Sequence, residues 1–216
     1  MNYGVIGASG RLGSEVIKLF EEKNHKLVFA YDLEGEWRNE NPDLLIDCSL
    51  PEVFNTSIDY ACELSKPFII ATTGLTEDNI KVMKKHSKQF PIVQSFNFSI
   101  GIQILLKLTK TANEKLSDWD VEITETHHRF KKDKPSGTAK MIQNIFEGKK
   151  INTSSLRLGN VPGDHSVSFG GAGEVITISH RALSRRTFAE GILLSAQFIS
   201  NKKNGFYSFA DVVFGK

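Results

Sequence analysis

The sequence predicts an α/β protein: a doubly wound parallel sheet in its first half, then a smaller α+β unit built on a mixed sheet. Three observations carry this reading. A short apolar strand runs into a glycine-spaced turn at Val5–Gly13. Strand-like and helix-like segments then alternate as far as residue 98. From Gly101 onward helix-sized segments become few and alternating, strand-like runs dominate.

In Val5-Ile-Gly-Ala-Ser-Gly-Arg-Leu-Gly13 the strand is expected to give way to a helix near Gly10 or Arg11. The spacing G-x-x-G-x-x-G is one residue longer than the common G-x-G-x-x-G, but the same physics applies. Gly7 permits the tight turn, Gly10 lets a pyrophosphate approach the backbone, and Gly13 lets helix and sheet pack closely. Taken alone, such glycines fit a plain strand–helix turn equally well, so context decides. The next strand, Lys26–Tyr31, ends at Asp32, nineteen residues past Gly13, where a ribose-binding acid is expected. Further strands are expected at Leu44–Asp47, Phe68–Ala71 and Ile92–Ser95, with amphipathic helices near Glu52–Leu64 and Asp78–Lys88. This is the rhythm of a Rossmann-type sheet. Its loops Ala71-Thr-Thr-Gly74 and Ser95-Phe-Asn-Phe98 leave consecutive strand ends, where ligands of such sheets sit. A dinucleotide is therefore expected here. Asp32 would hydrogen-bond the ribose hydroxyls and repel a 2′-phosphate, and Leu33 follows it rather than an arginine. NADH is the expected cofactor, with NADPH tolerated and Arg11 close to the turn.

The second half is expected to hold a helix from Gly101 to Leu116, a strand at Val121–Glu125 and a helix from Ser136 to Phe146. Strands follow at Ser155–Leu158, Ser166–Phe169 and Glu174–His180, then a buried helix Phe188–Ile199 and a last strand Gly205–Phe209. The expected domains are 1–98 completed by 190–216, and 99–189 as a second domain that carries the substrate. Between strand and helix lies Glu125-Thr-His-His-Arg-Phe-Lys-Lys-Asp-Lys-Pro-Ser-Gly-Thr-Ala139. Imidazoles supply protons near neutral pH, lysines hold carboxylates, and backbone N–H groups at a helix start attract anions. That combination suits protonation and reduction of a small anionic molecule.

Composition excludes several classes. Of 216 residues 40% are hydrophobic and 24% charged, ordinary for a globular protein, and a net charge of +2 is too small for a dedicated nucleic-acid or membrane-surface binder. No apolar run approaches the roughly 20 residues of a membrane span, and the N-terminus lacks signal-peptide regions, so a cytoplasmic location is expected. Cys48 and Cys62 form neither a disulfide framework nor a zinc signature; no metal is expected, and both are read as buried reduced thiols.

The chain resembles the 4-hydroxy-tetrahydrodipicolinate (dihydrodipicolinate) reductase family across nearly its whole length. The resemblance rests on the Gly7–Gly13 turn, Asp47-Cys-Ser-Leu-Pro-Glu52, Ala71-Thr-Thr-Gly74, Asn97-Phe-Ser-Ile-Gly101, Gly163-Asp-His165 and, most specifically, His127-His-Arg-Phe-Lys-Lys-Asp-Lys-Pro-Ser-Gly-Thr138. It implies reduction of a cyclic imine dicarboxylate by a nicotinamide cofactor in lysine and diaminopimelate synthesis. His127 matches the proton donor or acceptor, Lys131 the catalytic lysine, and His128, Gly137 and Thr138 the substrate contacts. Gly7, Ala8, Ser9, Gly10, Arg11, Leu12, Asp32, Ala71, Thr72, Thr73, Ser95, Phe96, Asn97 and Phe98 match cofactor-contacting segments. A homotetramer assembled through the second domain's sheet is also implied, as is closure of the His127 loop over the nicotinamide. Three departures stand out: a short connection after Asp32, Ala71 where relatives often have glycine, and Phe130 where some have a third histidine. Two rival readings are another oxidoreductase of this fold and a non-catalytic NAD sensor. A semialdehyde dehydrogenase needs a nucleophilic cysteine, which neither Cys48 nor Cys62 resembles, and a sensor has no use for two histidines and a lysine on one loop.

Overall fold

The computed structural model describes residues 1–146 and 148–215, which form two compact units: Met1–Phe98 with Arg185–Lys216, and Ser99–Ser184. The chain returns to the first unit at Arg185 rather than at residue 190. The final long helix begins at Arg186, and its whole length belongs with the first unit.

The first unit holds strands β1 (Asn2–Ile6), β2 (Lys26–Asp32), β3 (Gly35–Arg38), β4 (Leu44–Asp47), β5 (Phe68–Ile70), β6 (Pro91–Gln94) and, near the end of the chain, β11 (Gly205–Ser208). Their order across the sheet is β11-β6-β5-β4-β1-β2-β3. Every pairing is parallel except β2 with β3. β3 is an addition to the expected strands. Gly35, with φ +106, closes a tight hairpin, and Gly35-Glu-Trp-Arg38 carries no alternating apolar signal because it lies exposed at the edge. β4, β5 and β6 are buried throughout, as parallel strands covered on both faces must be.

Helices α1 (Gly13–Glu22), α2 (Phe54–Leu64) and α3 (Glu77–His86) alternate with the strands, and α6 (Arg186–Ile199) and α7 (Phe209–Phe214) close the unit. Residues of β1 alternate between two cores, as the two-residue period of a strand demands. Tyr3 and Val5 join Val16, Phe20, Ile192, Ala196 and Phe209 on one side. Ile6 joins Phe29, Leu45, Phe54, Ile58 and Met83 on the other. The last strand stops at Ser208, whose side chain caps α7 by accepting from Asp211 N at 3.2 Å. That helix was not expected, since its six residues are too few to show a helical period.

In the second unit, α4 (Ile100–Lys115) and α5 (Gly137–Gln143) cover one face of a sheet ordered β10-β9-β7-β8. The strands are β7 (Asp120–His127), β8 (Asn152–Arg157), β9 (Asp164–Gly170) and β10 (Val175–Arg181). β7 runs parallel to β8 and antiparallel to β9, so the sheet is mixed. The covered face packs Ile123, Val167 and Phe169 against Leu105, Ala139, Ile142 and Phe146. The opposite face is hydroxylated and charged. There Ser154 donates to Glu122 at 2.7 Å, Ser168 pairs with Thr177 at 2.9 Å, and Arg181 donates to Asp164 at 2.9 Å. β8 starts three residues before the expected Ser155 because its first residues pair in parallel with Glu122 and Ile123, a tertiary constraint that a polar run does not display.

One close approach is decisive for the first unit. A Cβ built on Gly191 in α6 would collide with the Phe98 carbonyl oxygen and press on the Phe209 ring. Gly191→Ala is therefore expected to lower stability by about 3 kcal/mol, the upper range of core overpacking. Denaturant unfolding measures it; an unchanged midpoint would refute the packing argument.

Candidate active site

At the carboxyl edge of the first sheet, Gly7 adopts φ +79 and donates its N–H to the Tyr31 carbonyl at 2.8 Å. A Cβ on Gly7 would lie 2.8 Å from Ser49 Cα, and one on Gly13 would collide with the Gly7 carbonyl. The backbone is thus drawn tight beneath a turn that no side chain fills, a cradle that suits a pyrophosphate. α1 starts at Gly13, later than expected, so Gly10, Arg11 and Leu12 belong to the turn itself. Asp32 ends β2 beside this turn. Its carboxylate accepts from Ser9 N, and from Leu33 N at 2.9 Å. Bonding from Ser9 outweighs partial burial and holds the Asp32 carboxyl below its usual range, so it stays anionic where ribose hydroxyls would meet it.

The next strand-end loops are tied by a residue to which the sequence reading gave no role of its own. Asp47, fully buried at the end of β4, accepts from Ser49 N at 2.8 Å and from the Thr72 hydroxyl at 2.9 Å. Burial pushes its carboxyl pKa up despite these bonds. The Thr72 hydroxyl is therefore committed to Asp47, while Thr73 is exposed beside it. Ala71 does not need a positive φ, which explains why it can stand where relatives have glycine; Gly74, at φ +81, does. Ser95 donates to the Asn97 carbonyl at 2.8 Å and shapes the last loop. The Phe98 ring lies in the core, 5.1 Å from that of Phe209, and its carbonyl faces Gly191, so its side chain supports the loop. Leu12 likewise packs on the core, leaving only its backbone at the turn, whereas Phe96 is partly buried. Arg185 lies close enough to Arg11 and Glu15 to feel both charges; burial, then the Arg11 cation, push its pKa down.

In the second unit, β7 delivers Glu125 and His127 to one face, two residues apart, and the loop after it carries His128, Lys131 and Asp133. Glu125 is wholly buried and His127 and His128 nearly so. The His127 Nδ1 and a Glu125 oxygen share a short hydrogen bond. Arg157, on β8, grips the same carboxylate with two bonds of 2.9 and 3.1 Å. Burial alone would raise the Glu125 carboxyl, but the bonds from His127, Arg157 and Ser155 overcome it and bring it down to about 2. Lys131 pairs with Asp133 at 2.8 Å, and that pairing outweighs burial and keeps Asp133 below its ordinary range. Phe130 is exposed, its ring 6.4 Å from that of His128.

His165, on β9, lies edge-on to His127 with ring centroids 5.0 Å apart, and its Nε2 is 3.3 Å from the Ser136 hydroxyl. Burial first, then the charge of His127, pull its pKa down to about 3, so it is neutral near pH 7. Ser136 also caps α5, accepting from Ala139 N at 3.2 Å, with Gly137 and the buried Thr138 next in line. α5 ends at Gln143, where the apolar pattern promised a helix through Phe146. Donor atoms of Glu125, His127 and His165 lie within 4.8 Å of one another, a spacing a metal ion also satisfies. The Arg157 cation already occupies the Glu125 carboxylate, however, so the trio suits a hydrogen-bonded chain better than a cation. A cavity of about 430 Å³ lies on the hydroxylated side of the same sheet, lined by Thr124, Thr126, Ser166, Ser179 and Arg181 among others, without the His127 imidazole.

Glu125 and Arg157 are the residues sequence reading missed. Glu125 could have been found from its place two residues before His127 on a strand; Arg157 pairs with His127 only through strand register. Both buried groups set a pH window. Glu125 titrates near 2 in the fold against an ordinary 4.5, so its contribution is complete above 4.5 and fades as pH falls toward 2. His165 titrates near 3 against 6.5, so its neutral form contributes fully above 6.5 and less as pH drops toward 3. The melting temperature is expected to fall steadily from about pH 7 to about pH 3, and His165→Asn to flatten the upper part of that slope. Calorimetry across this range checks it; a parallel slope in the variant would refute the His165 assignment.

Comparison with known proteins agrees with these features. Residues 1–98 match the family described as dihydrodipicolinate reductase, N-terminus, and residues 101–213 match dihydrodipicolinate reductase, C-terminus. A 4-hydroxy-tetrahydrodipicolinate reductase of Thermosipho africanus is 43% identical over 213 residues, covering 99% of this chain and 98% of the relative. That of Rickettsia bellii is 36% identical, covering 98% and 94%. Among solved structures, a dipicolinate-bound dihydrodipicolinate reductase from Paenisporosarcina sp. TG-14 superposes with a TM-score of 0.76 at 21% identity, over 96% of this chain and 97% of the other. An aspartate semialdehyde dehydrogenase from Vibrio cholerae, at 12% identity and a TM-score of 0.58 over 93% of this chain and 98% of that one, shares the fold only. The chain belongs to the dihydrodipicolinate reductase family.

Proposed function

We propose that this chain is a pyridine-nucleotide-dependent 4-hydroxy-tetrahydrodipicolinate reductase, acting on a cyclic imine dicarboxylate. The observation that carries the reading is the His127 imidazole held on a buried carboxylate, with Lys131 on the same loop, in a chain whose other unit has the glycine cradle and its acid. When bound, the nicotinamide supplies a hydride. His127 holds a proton for the substrate nitrogen, which gains electron density as the adjacent carbon is reduced. Lys131 exchanges Asp133 for a substrate carboxylate, and the turn at Gly137 and Thr138, with His128, receives the rest of the dicarboxylate. The neutral His165 adds no competing cation. Neither cysteine suits a semialdehyde mechanism: burial raises the pKa of both thiols.

The bonded, anionic Asp32 supports NADH over NADPH, because a 2′-phosphate would meet a fixed negative charge. The hydroxylated face of the second unit's sheet, where Leu156 and Val175 are exposed, is the surface through which four copies assemble, and the cytoplasm is the compartment. Light scattering at four times the chain mass supports the tetramer; a monomer at assay concentration refutes it.

His127→Ala is expected to lower turnover by about 10²–10⁴-fold while leaving the NADH dissociation constant unchanged. The assay follows NADH consumption with the freshly formed condensation product of pyruvate and aspartate semialdehyde. Absence of turnover in the parent protein with NADH binding intact would favour a sensor. In the same assay NADH is expected to bind at least about tenfold more tightly than NADPH, and Asp32→Ser to narrow the gap; equal affinities in the parent would refute the role of Asp32.

A further inference from the structure

We infer that Glu125 and Arg157 form a positioning pair that fixes the tautomer and direction of the His127 ring and ties it to the backbone of the Lys131 loop. The inference rests on His127 as proton donor and deepens that reading.

Geometry carries it. Glu125 is wholly buried with its carboxylate between His127 Nδ1 and the Arg157 guanidinium. An ionised carboxylate only accepts, so the shared proton belongs to Nδ1; the other ring nitrogen, Nε2, faces away and carries the second proton of the imidazolium, the one given to the substrate. Nε2 lies beside Gly163, where a Cβ would come within 3.1 Å of it, so the glycine keeps that edge of the ring clear. The parallel register of β7 and β8 sets Arg157 directly opposite His127.

Arg157 then uses every N–H it has. Nε donates to the Lys131 carbonyl at 3.2 Å. Nη1 donates to Glu125 at 3.1 Å and to the Leu156 carbonyl at 2.7 Å. Nη2 donates to Glu125 at 2.9 Å and to the Asp133 carbonyl. Five donors meet five acceptors, so one planar cation joins the carboxylate that orients the imidazole to the two backbone positions that flank the lysine turn. A lysine, with three donors and no fork, cannot reproduce this. The titratable and charged groups facing His127 are Glu125 from β7, Arg157 from β8, Lys131 and Asp133 from the loop, and the neutral His165 from β9, itself flanked by His180 of β10.

The test uses the full chain and the NADH-consumption assay. Glu125→Gln is expected to lower kcat by about 10²-fold with the NADH dissociation constant unchanged, because an amide presents its N–H₂ to Nδ1 as readily as its oxygen. Arg157→Lys, which keeps the charge, is expected to lose about tenfold or more. In the double variant His127→Ala/Glu125→Gln, turnover is expected to match that of His127→Ala alone, since residues acting as one unit are not additive. Histidine-selective ¹⁵N NMR at a pH where the ring is neutral reports the tautomer directly: the remaining proton fixed on Nδ1 in the parent, mixed forms in both single variants. A merely structural role would move stability and leave this spectrum unchanged. Parental kcat in Glu125→Gln or Arg157→Lys, with His127→Ala inactive, overturns the positioning pair alone. Near-parental kcat in His127→Ala overturns the reading beneath it. Should Glu125→Gln fail to fold, the Arg157→Lys rate and spectrum decide.

Discussion

Placing a carboxylate wholly out of water is unfavourable unless a cation and further donors meet it there. At Glu125 the condition is met by a forked guanidinium and an imidazole, and much of the second unit follows from that arrangement. β8 must run parallel beside β7 in a register that sets Arg157 against His127. The segment after β7 must turn back so that the carbonyls of Lys131 and Asp133 reach the same guanidinium. The chain before β9 must pass the imidazole closely, which Gly163 allows. A loop rich in charge, which composition alone would leave waving in solvent, is thereby given one conformation.

The two units meet different demands with different devices. The first builds its ligand surface mostly from backbone: glycines that permit close approach, a fixed Asp32 carboxylate, and strand-end loops stitched by the buried Asp47. The second builds its surface from titratable side chains, and controls each by a charged neighbour or by burial. Glu125 is kept anionic by His127 and Arg157, His165 is kept neutral by burial, and Lys131 is satisfied by Asp133. Preorganised charge of this kind does not need to rearrange as a reaction proceeds.

Much of this was readable beforehand. The glycine turn, Asp32 and the strand–helix alternation identified the first unit because each depends on local chemistry or a short period. The His127 loop was legible through its own residue types. What stayed hidden depended on partners distant in sequence. Arg157 looks like any arginine in a polar stretch until register sets it opposite His127. The core packing of the Phe98 ring was hidden because its contacts, Phe209 and Gly191, come from a distant part of the chain. β3 escaped notice because an exposed edge strand has no hydrophobic face to betray it, and α7 because six residues carry too little pattern.

The sheet order β11-β6-β5 has an implication for biosynthesis. The strand that completes one flank of the nucleotide unit, and the helix that seals Val16 and Phe20, are synthesised only after the whole of the inserted unit. Until they emerge, the core shared by β1 and α1 lacks Ile192, Ala196 and Phe209. The inserted unit, continuous from Ser99 to Ser184, has all its parts well before then. Vectorial synthesis thus makes every part of the inserted unit available while the unit that began first still waits for the segment after Ser184.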